Sequence, residues 1–526
     1  MRILKDYQTL SCCVLFIIAL SFLFSTQKYY LSDFGNYYYG SKFLAEGRFD
    51  ATIYEIGKFN LLVKAEGLDH FFLNYTPIPP VTSLCYLPFI FTNPFLSKII
   101  FGLISFLFFI VSYKRLLQHL NIRSAGIVLL PLLFYIPFKS NFYSGQSYLL
   151  LSALLIEGFL AQEKKRPLLA ALFWGFSIAL KIFPAIILLY LVVSKQFRLF
   201  GYVLTATIVI SVLPALFINH EIILNYYTHI LPRLMNGDIN DPFSSSYQSM
   251  QVLLKQLFIH DDLLNPTNSF DLPLIYFLLN LFFVLVILLL SITFLTNSTR
   301  SSFYKFSTTL FCGILISGYG TNYGLLLLLF PLLAFYKERE YHSFPLVTAS
   351  ILILFTCSVP VYRFFDLPIL LRFPRLYMLL SFSLLYFYET RSKNFKWRYH
   401  PLAVFILLPA ALLFNKKQTD QSFYLLPSSG KNNFSFIYDY NINQNGLQLS
   451  SIKNDYFQKE YIPFTVFIKD SNKCILRNNQ LYYEGRQLTF GSDNKLKPVL
   501  INNKQLIYLS DKNRGPGFYT LRKINI

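Results

Sequence analysis

Apolar residues in this chain gather in runs far longer than a soluble core element needs, and short polar stretches separate them. The first runs from Leu10 to Thr26. After a polar interval come Phe95 to Tyr113, Ala125 to Phe138, Ser147 to Ala161, Pro167 to Leu180, Phe183 to Val193 and Phe200 to Ile218. A second group follows a long loop: Leu272 to Leu295, Phe306 to Ser317, Tyr323 to Tyr336, Phe344 to Val359, Leu376 to Tyr388 and Leu402 to Phe414. Such runs predict helices that cross, or nearly cross, a bilayer, about thirteen in all to within one or two. Several fall short of the roughly 20 residues of a full span, so tilted or broken helices are expected. Pro77 to Asn93, apolar and proline-rich, fits either a further span or a helix lying in the interface.

From Asn415 the pattern changes to polar residues with short alternating runs, such as Gln505 to Leu509 and Gly517 to Leu521, between turn signals such as NQNG, DNK and DKNRGPG. The chain therefore divides into an all-α polytopic membrane domain over residues 1–414 and a β-rich soluble domain over 415–526. The last strands, YLSDKNRGPGFYTLRKI, look like part of a Tol-type β-propeller blade, although too little chain is left to close a propeller of four or more blades.

Composition agrees with a membrane protein and excludes a soluble one. Of 526 residues 54% are hydrophobic and only 14% charged, and the mean hydropathy is +0.44. A net charge of +20 in a soluble chain would suggest nucleic acid as a partner. Here the basic residues cluster in short loops: Lys164, Lys165 and Arg166, then Lys195 and Arg198, Arg300 and Lys305, Lys337 and Arg339, and Arg391, Lys393, Lys396 and Arg398. The positive-inside rule assigns these loops to the cytoplasm, and no nucleic-acid partner is implied. Arg2 and Lys5 precede the first run, and no small-residue cleavage site follows it, so it reads as an uncleaved anchor with a cytoplasmic N-terminus. Alternation then puts Gln27 to Pro80, Lys139 to Gln146, the turn at Lys181, Asn219 to Asp271, Gly318 to Asn322, Pro360 to Arg375 and the β-rich domain outside. Five of the six cysteines lie in or beside apolar runs, and their spacing gives neither a disulfide framework nor a metal cluster.

Five places on that outer side carry candidate chemistry. Asp33 opens SDFGNYYYG, with Tyr37, Tyr38 and Tyr39 behind it. A carboxylate just outside the membrane can take a proton from a hydroxyl whose reaction partner is dissolved in the bilayer. The same residues also fit a helix N-cap beside an interfacial aromatic belt. Tyr75, Thr76 and Pro77 open an apolar helix, where proline is common in any case. Gly145 and Gln146 enter a span. Lys181, with Pro184, sits at a hairpin turn between two cytoplasmic clusters, against the charge bias; it reads equally as snorkelling or as binding an anion. The long loop from Asn219 to Phe258 holds His229, Arg233, Asp238, Asp241, Gln248 and Ser249, with no metal-ligand spacing.

The order of these motifs is more specific than any one of them. Asp-Phe with following tyrosines, Tyr-Thr-Pro, Gly-Gln at a helix start, a Lys-x-x-Pro hairpin and a Tyr-Gln-Ser loop resemble the membrane glycosyltransferases of family 87, of GT-C type. That family includes polyprenyl-phosphate-mannose-dependent mannosyltransferases and arabinofuranosyltransferases. The Tyr75 to Leu87 and Lys181 to Pro184 stretches also look like the first mannosyltransferase of GPI-anchor synthesis. The resemblance spans roughly Leu10 to Leu413. It implies Asp33 as the catalytic base and matches Lys181, Pro184, Gln146, Gln248 and Ser249 to positions of the family; beside it, Lys181 and Arg233 are expected at the donor phosphate, and Tyr37, Tyr38, Tyr75, Gln146, Gln248, Ser249 and Asn322 in substrate binding. Asn322 and Tyr323 stand where relatives tend to carry Ser-Pro, Trp and His, which bears on sugar specificity.

The reaction implied is inverting transfer of a sugar, mannose-like, from a polyprenyl-phosphate donor to a lipid or glycan acceptor on the extracytoplasmic face of a bacterial inner or cell membrane. No cofactor is read from the residues; a divalent cation is the one candidate. No nucleotide-binding signature is evident, as a lipid-linked donor would lead one to expect. Two other classes stay open: a lipid-linked saccharide transporter, and a sensor or assembly protein acting through its β-rich domain.

Overall fold

The computed structural model describes residues 2–25, 31–68, 71–122, 124–238, 240–297, 300–318, 320–338, 344–391, 422–425, 436–443, 446–453, 456–463, 474–501 and 505–526. The expected span at 402–414, the basic residues Arg339, Lys393, Lys396 and Arg398, and the expected boundary at 414/415 lie outside them.

Helices fill the chain as far as Thr390. Four among the described residues are long and apolar enough to cross a membrane: Pro94–His119, Gly126–Ser144, Phe197–Leu216 and Pro273–Thr296. Six shorter apolar helices accompany them, Thr9–Ser25, Pro167–Leu180, Phe183–Val193, Ser302–Ile316, Tyr323–Lys337 and Phe344–Ser358. The expected breaks occur at prolines. Pro131, Pro184 and Pro214 each sit in a short 3-10 segment, because proline lacks the N–H that an α-helical turn needs and clashes with the preceding one. Pro77 to Asn93 is not a span: its helix, Val81–Tyr86, has six residues. At 1.5 Å per residue that is about 9 Å, far short of a bilayer.

One continuous apolar core runs through the bundle, from Leu15 and Phe22 of the first helix through Phe106, Phe138 and Phe142 to Trp174 and Phe306. The Tyr148–Glu163 and Pro167–Leu180 helices approach closely at Gly158, where a Cβ would lie 2.3 Å from Trp174. Small residues allow such close backbone contact between membrane helices. Glu157, buried in the same helix, is paired with Arg115 at 2.8 Å. The Pro273–Asn297 helix instead leaves Ile275, Leu279 and Phe282 exposed, an apolar face suited to lipid.

A second, aromatic core caps one end of the bundle. It joins Tyr37, Tyr38, Tyr39 and Phe43 of the Ser32–Ala45 helix to Tyr54, Tyr75, Tyr86 and Tyr226, and so fixes the helix that carries Asp33.

The C-terminal region is β-sheet, as the alternating pattern predicts. One sheet orders its four antiparallel strands as Phe423–Tyr424, Thr520–Asn525, Gln505–Ser510 and Lys495–Ile501. Two three-stranded meanders, 436–463 and 474–487, accompany it. This region rests on the loops that flank the aromatic core. Phe72 packs on Phe436 and Phe518, and the Thr76 hydroxyl donates to the Pro516 carbonyl at 3.4 Å.

Candidate active site

Asp33 lies in the first turn of the Ser32–Ala45 helix, yet it does not cap it: Leu31 holds the N-cap position and no side chain caps that end. The carboxylate instead reaches across the fold, accepting a 2.6 Å hydrogen bond from Gln146 Nε2. The other end of the same amide accepts from the Tyr37 hydroxyl at 3.0 Å. Lys181 Nζ completes the group, 3.4 Å from the Tyr37 hydroxyl and 3.5 Å from Gln146 Oε1, above the rings of Tyr37 and Tyr148. A carboxylate, an amide, a phenol and an ammonium thus form one chain, drawn from segments 148 residues apart at the extremes.

Local structure explains how Gln146 arrives there. The Tyr135–Ser144 helix ends at Gly145 with φ of 63°, and the Gly145 and Gln146 N–H groups donate to the carbonyls of Phe142 and Asn141. This is a Schellman ending, which favours glycine in the left-handed position. Glycine is needed for space as well, since a Cβ there would lie 2.5 Å from Phe34 Cβ. Gln146 is the first side chain beyond the stop, and Asp33 is the neighbour of Phe34.

The electrostatics suit a base beside a cation. Burial pushes the Asp33 carboxyl above the ordinary carboxylate range, opposed by the Gln146 hydrogen bond and by the charges of Lys181 and Lys98. Burial pushes Lys181 down to about 8, opposed by Asp33.

Beyond the Tyr148 ring opens a cavity of about 140 Å³, lined among others by Phe183, Gln248, Ser249, Thr321 and Arg375. Gln248 acts there as a strut. Its amide donates to the Ser245 and Arg372 carbonyls and accepts from the Arg375 N–H, which joins the long loop to the start of the Pro374–Thr390 helix. Ser249 caps the Met250–Phe258 helix and donates to the Gly318 carbonyl at 2.8 Å. Asn322 precedes Tyr323, whose ring packs on Tyr148, and its Oδ1 is buried without a hydrogen-bond partner among the described residues.

Three sequence assignments meet a different arrangement. Arg233, assigned to the donor phosphate, is buried against the C-terminal region. Its two terminal nitrogens are bonded to the Asp511 carboxylate at 3.0 to 3.1 Å and to the Asp511 and Arg514 carbonyls, so the fork is already engaged. Tyr75 is fully buried in the aromatic core, and its hydroxyl is held by Ser83. Tyr38 donates to the Thr92 carbonyl at 2.8 Å. Sequence reasoning missed Tyr148, Lys98 and Arg375. Arg375 resembled its neighbours Arg363 and Arg372 in a loop of unknown path; the one signal was an arginine in the first turn of an apolar helix. Among the described residues no group of three His, Cys, Asp or Glu side chains could hold a metal ion.

A bundle of apolar helices, four of them long enough to span a bilayer, with a carboxylate and lysine cluster beside a cavity, has the architecture of an integral membrane protein. Residues 75–331 match the model of glycosyltransferase family 87, and this part of the chain is similar to that family of membrane glycosyltransferases. The match takes in Gln146, Lys181, Gln248, Ser249 and Asn322; Asp33, Tyr37 and Arg375 lie outside it. No curated protein and no solved structure matches the chain.

Proposed function

We propose that the protein transfers a sugar, mannose-like, from a polyprenyl-phosphate donor to a hydroxyl of a lipid or glycan acceptor on the extracytoplasmic face of a cell membrane. The observation that carries this reading is the hydrogen-bonded group of Asp33, Gln146, Tyr37 and Lys181 beside the Tyr148 cavity. Asp33 takes the acceptor proton. The acceptor oxygen bonds to the anomeric carbon from the side opposite the phosphate, and the carbon–oxygen bond to phosphate breaks with its electron pair going to the leaving group. The configuration inverts, and the carboxylic acid later returns its proton to water. Lys181 offsets the charge that develops on the departing phosphate. Because the same lysine favours the carboxylate form of Asp33, one cation supports both base and leaving group. Gln146 and Tyr37 hold the two apart and in register, and Asn322 borders the sugar.

About thirteen crossings, with residues 1–414 as the transferase domain and 415–526 as an extracytoplasmic domain, complete the proposal. The basic clusters support that orientation. Mass spectrometry of glycolipids and glycans is the direct test. Cells lacking the protein should lose one sugar from a defined product, the wild-type chain should restore it, and Asp33→Asn at equal membrane abundance should not. Restoration by Asp33→Asn would remove Asp33 from the mechanism.

A further inference from the structure

Arg375 is 3% exposed and lines the cavity beyond Tyr148. Its Nε donates to the Thr356 carbonyl at 2.9 Å and its backbone N–H donates to Gln248. Its two terminal nitrogens have no hydrogen-bond acceptor and no carboxylate partner among the described residues. An isolated charge is costly to bury, and buried cations are ordinarily paired. Glu157 and Arg233, two other buried charges of the helical part, have such partners at 2.8 and 3.0 Å. The free fork of a guanidinium has the geometry to bind two oxygens of a phosphate at once. Ser249 and Thr321 add hydroxyl-bearing side chains to the same wall. Phe183, Ile314 and Leu379 make the rest apolar, as a lipid-borne ligand requires.

We infer that this cavity is a phosphate site, with Arg375 as its cation, and that it receives the phosphate of the lipid-linked donor. The inference rests on the proposed donor class and adds to it a binding residue from beyond the family match. Lys181 Nζ lies 5.5 Å from the centre of the Tyr148 ring, and the same ring lines the cavity, so one aromatic side chain borders both the Arg375 cavity and the Asp33 group. The strut formed by Gln248 then acquires a purpose: it fixes the helix start that presents Arg375.

The test measures binding to the full-length protein in a neutral detergent, with farnesyl phosphate, inorganic phosphate and farnesol as probes. Wild type should bind farnesyl phosphate and prefer it over farnesol. Arg375→Met should weaken that binding ~10- to 100-fold, the range for losing charge-assisted hydrogen bonds. Arg375→Lys, which keeps the charge without the fork, should fall between. Thermal unfolding of each variant checks that the Thr356 tie alone is not responsible: Arg375→Met must bind weakly while unfolding like Arg375→Lys. Preference for farnesyl phosphate assigns the lipid-linked source, and equal binding of inorganic phosphate assigns free phosphate to the same site. Unchanged farnesyl phosphate binding by Arg375→Met, or equal binding of farnesol by wild type, overturns the site. Asp33→Asn separates this inference from the mechanism, since it should keep binding and lose transfer. An active Asp33→Asn variant would refute the base while leaving the phosphate site standing.

Discussion

At the scale of single residues, the tie between Asp33 and Gln146 makes the pH dependence of transfer a direct readout. Asp33 must be ionised to act as a base, and its pKa is raised, so activity should fall with acidification at a pH above the ordinary carboxylate value of about 4. Lys181 must be charged, and its pKa is lowered to about 8, so a second decline should appear as the pH rises through that value. The transfer rate should therefore trace a bell. Replacing Gln146 with Leu removes the hydrogen bond that favours the carboxylate, which should move the acid limb to higher pH and leave the alkaline limb in place. An acid limb that stays fixed in this variant would show that Gln146 does not tune Asp33. The residue types of this cluster were legible in the sequence, and so was the oddity of a lysine at a turn between two apolar runs. That Asp33 bonds a side chain 113 positions away rather than capping its own helix was not, because local sequence offers the cap equally well.

At the scale of elements, the helix ending at Gly145 places the amide in the site. Gly145→Ala puts a Cβ into left-handed backbone and against Phe34, which should cost about 1–3 kcal/mol of stability and displace Gln146. Lower thermal stability together with a reduced transfer rate is the expected result. Loss of stability with full activity would detach the helix ending from the site. The 3-10 segments at Pro131, Pro184 and Pro214 follow from proline chemistry and were legible as broken helices. Whether Pro77 to Asn93 crosses could not be read from hydropathy, because apolar proline-rich stretches occur both in spans and in surface segments. Packing of Tyr86 on Tyr37 and Phe101 settles it as a short buried helix.

At the scale of the whole molecule, the C-terminal β region is fastened to the helical part through buried charge. Arg233 and Asp511 are nearly or wholly inaccessible, and Arg514 reaches back to Asn240 through its Nε and Nη2. Removing one partner of such a pair leaves the other buried and unpaired, so Asp511→Ala should destabilise the protein by about 3–5 kcal/mol. Arg233→Met should cost a similar amount. A double variant should cost less than the two single effects together, which a double-mutant cycle of thermal unfolding can check. Additive losses would mean that the pair does not act as a unit.

The sequence by itself determined that this is a helical membrane protein with a β-rich C-terminal region, because hydropathy and strand alternation are local properties that each segment carries whatever its neighbours do. It also supplied the resemblance to glycosyltransferase family 87, which the family match over residues 75–331 supports. Only the tertiary structure decided which of those motifs meet. It joined Asp33, Gln146 and Lys181, turned Arg233 toward Asp511, and left Arg375 facing a cavity. The physical reason is that a charge buried in an apolar bundle is defined by its partner, and partners contributed by distant helices leave no trace in the spacing of either one.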